Sequence, residues 1–373
     1  MSSPSVSDTR RNRWRIPLIL LAVLALLAGL WAGLLRLGWS LPLLMPRLPT
    51  MHGPLMVSGF LGTLISLERA VALGQRGNGR KLYYLAPLLS GLGAVTLFFT
   101  VPQTIPRLLS TLGALGLVLI FVVIIRIQPS QDHIVMGIGA LLWLIGNGMW
   151  LANRPLFQVV PFWAGFLVLT IAGERLELSR VLLQKQKVRR RFVWITAVYL
   201  LGLVLSLPLP DVGLRLSGLG LIALGVWLLR NDIARRTIRQ RGITRFIAAC
   251  LLPGYIWLII SGLLWLAYGG EYAAGFMYDA MLHTIFLGFV FSMIFGHMPI
   301  ILPAITGIQV PYSLVFYGHL LLLHVSLVLR VLGDISMSPL LRRWGGLLNE
   351  VAIVMFLLVT AVTVIRGKRK GSS

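Results

Sequence analysis

The chain has 373 residues, of which 57% are hydrophobic and only 12% charged, and its mean hydropathy is +0.86. Soluble domains usually carry about 25% charged residues, so this composition excludes a water-soluble globular protein. The net charge of +23 would suggest nucleic-acid binding in a soluble protein. Here the basic residues lie in short segments between apolar runs, where they set orientation and meet anionic lipid head groups, so nucleic acid is not an expected partner.

The first apolar run extends from about Ile16 to Leu35 and follows several arginines, as in a signal peptide. It is too long for a signal sequence and no clear small-residue cleavage site follows, so we predict a retained first span. Further runs of about 20 residues, the length that crosses a bilayer as a helix, follow along the chain. They predict an all-α membrane bundle of about 12 spans: 16–37, 51–73, 83–102, 107–127, 132–152, 155–176, 192–208, 211–230, 246–268, 278–302, 311–332 and 344–365.

The distribution of Lys and Arg predicts the orientation of the spans. Alternate segments, beginning with the N-terminus, carry the basic runs, including 185–191, 235–245 and 366–370. Eight of the 34 basic residues fall on the opposite side: Arg36, Arg47, Arg107, Arg154, Arg215, Arg330, Arg342 and Arg343. Because positive residues stay inside, we predict a single membrane domain, 16–365, between basic cytoplasmic tails at 1–15 and 366–373, in the inner membrane.

A short pattern recurs in the second, sixth and tenth spans. Gly59-Phe60, Gly165-Phe166 and Gly288-Phe289 are each followed, at one shared spacing, by isoleucine and then by a polar residue. The repeat predicts three four-helix arcs, at about 16–127, 132–230 and 246–365. The alternative is chance, since Gly, Phe and Leu are common in membrane helices.

Histidines within the spans are candidate functional residues, because titratable groups are costly in a bilayer. His52 and His283 both lie on second helices of arcs, in the outer third of the membrane. Two neutral imidazoles from different helices are what axial ligation of a haem iron requires. The alternative for each is a helix–helix hydrogen bond or, for His52, a solvated position. In a uniform α-helix His283 and His297 would share a face, about 40° and roughly 21 Å apart.

The other polar groups leave more than one interpretation open. Near the inner ends of three spans lie Glu68, Arg69, Glu174, Arg175 and His297. They are either salt bridges that pin helix ends or a cytoplasmic-side proton or ion site. His324 is a further candidate cofactor ligand, for a second metal of unknown identity, and the roles of His133 and His319 stay open. His319 and His324 are five residues apart, about 140° around a helix, and cannot chelate one metal together.

The stretch His52-Gly53-Pro54-Leu55-Met56 is similar to the low-spin haem motif on helix 2 of haem–copper oxidase subunit I, and 279–283 is loosely similar to its helix 10. A closer resemblance is to the NnrS family of haem-containing membrane proteins of nitric-oxide response. In that family a histidine precedes Gly-Phe in an early helix, as His52 precedes Gly59, and a late helix reads His-x-x-x-x-Gly, as from His283 to Gly288.

The resemblance implies haem b held by His52 and His283, with a small gas such as nitric oxide or an electron donor as candidate partner besides the lipid bilayer. Oxidases also hold copper with histidines on helices 6 and 7, but spans 6 to 9 contain none here. Haem–copper oxygen reduction is therefore not expected, and whether the protein is an enzyme is left open. The alternative functions are a proton- or ion-coupled transporter and a non-catalytic oxidase-like scaffold.

Overall fold

The computed structural model describes residues 13–75, 81–179 and 186–370, and all regular structure within these ranges is helical. Twelve main helices follow the predicted spans in order. They are α1 Ile16–Arg36, α2 Leu48–Gly74, α3 Leu85–Thr96, α4 Thr104–Ile127, α5 Gln131–Leu151, α6 Leu156–Leu178, α7 Gln186–Leu205, α8 Pro210–Asn231, α9 Gly242–Tyr268, α10 Gly275–Thr306, α11 Phe316–Ile335 and α12 Pro339–Lys370.

Ten of these helices, among the described residues, are long and apolar enough to cross a membrane. The other two are α3, which has 12 α-helical residues, and α7, whose first turns contain the basic run 189–191. Exposed leucines recur at helical spacing on α4, at Leu108, Leu112, Leu115 and Leu119. Such faces suit lipid rather than water. The predicted all-α, multi-pass membrane bundle is therefore confirmed.

Proline and glycine set many of the helix ends. Pro17 and Pro210 stand in the first turns of α1 and α8, where the missing N–H has no intrahelical acceptor in any case. Gly38 and Gly307 follow α1 and α10 with φ of 78° and 76°, the left-handed conformation that favours glycine after a helix. The breaks between spans therefore follow from local sequence.

The helices group into two compact units. The first consists of 1–166 and 300–309 within the chain, and its described part holds α1 to α5, the start of α6 and the end of α10. In this unit α1, α2 and α3 pack on one another, and α4 packs against α3 and α5. A core cluster joins Leu18 of α1, Leu67 and Val71 of α2, and Ile305.

The second unit consists of 167–299 and 310–373, and its described part holds the end of α6, α7 to α9, most of α10, and α11 and α12. Consecutive helices pack in pairs from α7 to α12, and α9 also contacts α11. The three predicted arcs stay a prediction. Most of the predicted N-terminal tail lies outside the described residues, whereas the predicted C-terminal tail begins inside α12, which continues to Lys370.

Candidate functional site

Two of the three repeat copies form π-helical turns. In α2 the π segment is Leu55–Gly62, and in α10 it is Thr284–Phe291. Gly59 and Gly288 each occupy the fifth position of their segment. The third copy, in α6, is an ordinary α-helix that contains Pro161. Because π turns are rare and concentrate at functional sites, the two copies that carry a candidate haem ligand are set apart from the third.

Close packing and hydroxyl groups stabilise both π segments. A Cβ on Gly59 would lie 2.7 Å from the Cβ of Ala94, and one on Gly288 would lie 2.5 Å from Cγ of Trp257, so both positions require glycine. Ser90 donates a hydrogen bond of 2.6 Å to the carbonyl of Ser58 in the first segment. Ser292 donates one of the same length to the carbonyl of Gly288 in the second.

His52 is the first residue of the α-helical turn that precedes the first π segment. Its Nδ1–H donates to the carbonyl of Gly29 in α1 over 2.7 Å. This bond selects the tautomer in which Nε2 carries the lone pair. Histidines that bind metals commonly have their other ring N–H on a carbonyl or a carboxylate, so the ring of His52 fits an axial ligand.

His283 ends the α-helical turn before the second π segment. Its Nδ1 lies 2.9 Å from the carbonyl oxygen of Asp279 and 3.4 Å from Oδ2 of the same residue. The Nδ1–H therefore donates to Asp279, and Nε2 again carries the lone pair. The π segment also separates His283 from His297. Because it changes the rotation per residue, the prediction that these two rings share a face, which assumed a uniform α-helix, no longer follows.

A buried group of charges surrounds Asp279. Arg330 of α11 makes a bidentate pair with its carboxylate, with Nε at 2.7 Å and Nη2 at 3.0 Å. Arg342 of α12 donates to Oδ1 of Asp279 over 3.2 Å, and its Nε lies 3.3 Å from Oδ1 of Asp334, which is fully buried. We call Asp279, Arg330, Asp334 and Arg342 the outer ion cluster.

The outer ion cluster corrects one step of the orientation argument. The prediction counted Arg330 and Arg342 among residues of outer loops, but they lie within α11 and α12. Arg330 is buried against Asp279. Its charge is therefore satisfied by a carboxylate of α10 rather than by water, because an unpaired charge inside the bundle would be costly.

A second buried network joins two of the predicted inner polar residues. Arg175 of α6 forms a bidentate pair with Asp232, at 2.7 and 3.0 Å, and its Nη1 donates to Nε2 of His297 over 3.4 Å. The Nδ1–H of His297 donates to the carbonyl of Met293. Asp232 also accepts a bond from the backbone N–H of Ala234. We call Arg175, Asp232 and His297 the inner ion network.

The remaining predicted residues near the inner helix ends are Glu68, Arg69 and Glu174. Glu68 is 3.1 Å from Arg69 in the first unit. Glu174 directly precedes Arg175 in α6 of the second unit. The contacts of Arg175 with Asp232 and with His297 join different segments of the second unit. This geometry supports the interpretation that the inner groups brace helix ends, the first of the two that the sequence left open.

The other histidines differ in their contacts. Nδ1 of His324 accepts a hydrogen bond of 3.0 Å from Trp257, so the proton lies on Nε2, which favours a hydrogen-bond donor over a metal ligand there. His319 is buried, and the rings of Phe295 and Phe356 lie 4.8 and 5.4 Å away. In the first unit the Nδ1–H of His133 donates to the carbonyl of Gln128.

Asn147 of α5 bonds a neighbouring helix. Its Oδ1 accepts from the hydroxyl of Ser58 in α2 over 3.0 Å, and Trp143 donates to the same hydroxyl oxygen. This bond ties α5 to the first π segment.

Sequence reasoning missed Asp279, Asp232 and Asp334 as functional candidates. Sequence signals could have found Asp279 and Asp334. Asp279 lies four residues before His283 and Arg330 four before Asp334, so each pair shares a helix face inside an apolar run. The link between the two pairs depends on the packing of α10 against α11 and has no sequence signal.

A family model described as "Domain of unknown function (DUF8744)" matches residues 15–365. No curated protein matches the chain, and no solved structure does either.

Proposed function

Because the chain belongs to the DUF8744 family, whose description gives no activity, we propose its function from its own side chains. We propose a haem-binding protein of the inner membrane, with cytoplasmic termini, in which His52 and His283 would hold a haem b. Such a haem would supply one-electron transfer or binding of a small gas such as nitric oxide. No oxidase copper site is proposed, since spans 6 to 9 lack histidine.

One observation carries this proposal. His52 and His283 each precede a π segment with Gly-Phe at its fifth and sixth positions, and each has its Nδ1–H on a backbone carbonyl. His297 also has its Nδ1–H on a carbonyl, but no π segment follows it in α10. The combination of a selected tautomer and a π turn therefore distinguishes His52 and His283 from His297.

The residues of the chain itself would orient the ligands. The carbonyl of Gly29 fixes the ring of His52 from α1, and Asp279 fixes the ring of His283 from one turn earlier in α10. Fixed rings lose little rotational freedom when they bind iron, which favours retention of the cofactor.

The test is a pyridine haemochrome assay on detergent-purified protein. We expect one haem per chain in the wild type and loss of most haem in His52→Ala and in His283→Ala, with membrane insertion unchanged. His133→Ala is the matched control, since its Nδ1–H also binds a carbonyl but no π segment follows it, and it should keep its haem. A colourless wild-type protein, or full haem content in both variants, would overturn the proposal.

The transporter and scaffold alternatives predict a colourless pure protein. Proton-coupled uptake into liposomes would then identify a carrier, with Glu68, Glu174 and His297 as the coupling groups to mutate first. Absence of both haem and uptake would leave the oxidase-like scaffold.

A further inference from the structure

We propose that Asp279 is the positioning residue for His283, and that the outer ion cluster sets how strongly this imidazole donates electrons. The inference rests on the proposed function, because it assigns the residue that holds the ring N–H of a proposed haem ligand. It adds a specific chemical role for buried charges that the sequence alone leaves unexplained.

Asp279 contacts the imidazole in two ways. Its backbone oxygen is 2.9 Å and its carboxylate Oδ2 is 3.4 Å from Nδ1 of His283. One residue therefore supplies both the carbonyl that selects the tautomer and a negative charge beside the N–H. A carboxylate next to this N–H makes the opposite nitrogen, Nε2, a more basic ligand.

The carboxylate cannot turn away from the ring without breaking its other bonds. Arg330 holds both oxygens of Asp279, and Arg342 donates to Oδ1. Bidentate arginine–carboxylate pairs fix geometry as well as charge. Because Arg330 comes from α11 and Arg342 from α12, the position of the carboxylate depends on the packing of three helices.

The cluster also balances the charge next to the ligand. The guanidinium groups of Arg330 and Arg342 draw electron density from Asp279, and the carboxyl group of Asp334 lies 3.3 Å from Nε of Arg342. Removing the charge of Asp279 should make His283 a weaker donor, whereas removing the charge of Arg342 should make it a stronger one. The two changes therefore act in opposite directions on the reduction potential of a bound haem.

A purely structural role for Asp279, as a partner for two buried arginines, is the competing explanation. It predicts lower stability in an Asp279 variant but no directed change in potential. Asp334 separates the two explanations, because it is a buried carboxylate of the same cluster whose partner is Arg342.

The experiment is a spectroelectrochemical titration of purified wild-type protein, Asp279→Asn, Asp334→Asn and Arg342→Gln, with haem content measured in parallel. We expect Asp279→Asn to weaken haem retention about 10–100-fold and to raise the midpoint potential. Asp334→Asn should produce a clearly smaller shift, and Arg342→Gln should lower the potential with haem retained. A general loosening of the fold would not shift the midpoint potential in opposite directions in Asp279→Asn and Arg342→Gln.

Equal potentials in Asp279→Asn and wild type, or equal shifts in Asp279→Asn and Asp334→Asn, would overturn the role of Asp279. If Asp279→Asn does not fold, the Arg342→Gln variant tests the inference instead, because the side chain of Arg342 is partly exposed. An unchanged midpoint potential in Arg342→Gln would then overturn the inference. A wild-type protein without haem would instead refute the proposed function, so the two failures are distinguishable.

Discussion

Charged side chains within the helices of the second unit differ widely in how far they are removed from solvent. The Arg175–Asp232 pair is almost entirely buried, with side-chain exposures of 3% and 0%, whereas the Arg215–Asp211 pair is 41% and 52% exposed. Both have a shortest distance of 2.7 to 2.8 Å. Their energetic roles should differ, because removing one member of a buried pair leaves an uncompensated charge.

We therefore predict that Asp232→Asn destabilises the protein by about 3–5 kcal/mol. Its matched control, Asp211→Asn, should change stability by about 0–1 kcal/mol, because solvent screens the exposed pair. Thermal unfolding in one detergent, followed by circular dichroism, measures both. Similar midpoints for the two variants would show that the inner ion network does not brace α6.

The π segments are the main departure of single elements from regular α-helix. In the second one, Gly288 lies against the indole of Trp257, and that indole is itself held by a hydrogen bond to His324. The indole of Trp257 is therefore constrained on both sides and cannot move aside without a cost in free energy. The segment depends on glycine because a methyl group there would overlap a fixed neighbour.

Gly288→Ala should destabilise the protein by about 1–3 kcal/mol through this overlap. Gly148→Ala is the control, since a Cβ at Gly148 in α5 meets open space and alanine favours helix by about 1 kcal/mol. The unfolding midpoints of the two variants should move in opposite directions. A neutral Gly288→Ala would mean that the wide turn accommodates a side chain.

For the whole molecule, the sequence predicts an orientation that the helices alone do not fix. The segment between α8 and α9 carries four arginines within 235–241, whereas the segment between α7 and α8 has no basic residue before Pro210. Positive segments stay on the cytoplasmic side, so these two connections should face opposite sides of the membrane.

Cysteine accessibility in intact cells tests this orientation. The native Cys250 is fully buried, so the wild-type protein should not react with a membrane-impermeant maleimide. Leu207→Cys, at an exposed position between α7 and α8, should react in intact cells. Gln240→Cys, exposed between α8 and α9, should react only after permeabilisation. The reverse pattern would place both termini outside the cytoplasm.

The sequence by itself determined the helical membrane architecture and the approximate bounds of the spans. Hydropathy is a property of each run on its own, and the proline and glycine signals act within one turn, so α1, α8 and the end of α10 were predictable to within a few residues. The repeated Gly-Phe motif occurs in α2, α6 and α10, and it did not reveal that only the copies in α2 and α10 lie in π turns.

Only the tertiary structure decided which charges meet. Asp232 holds Arg175 across 57 residues of chain, and Arg330 reaches Asp279 across 51, because neighbouring helices bring them together at one depth. The π turns likewise depend on what packs against Gly59 and Gly288. A buried charge or an open helical turn is stable only with partners from other helices, and composition and spacing along one chain carry no record of those partners.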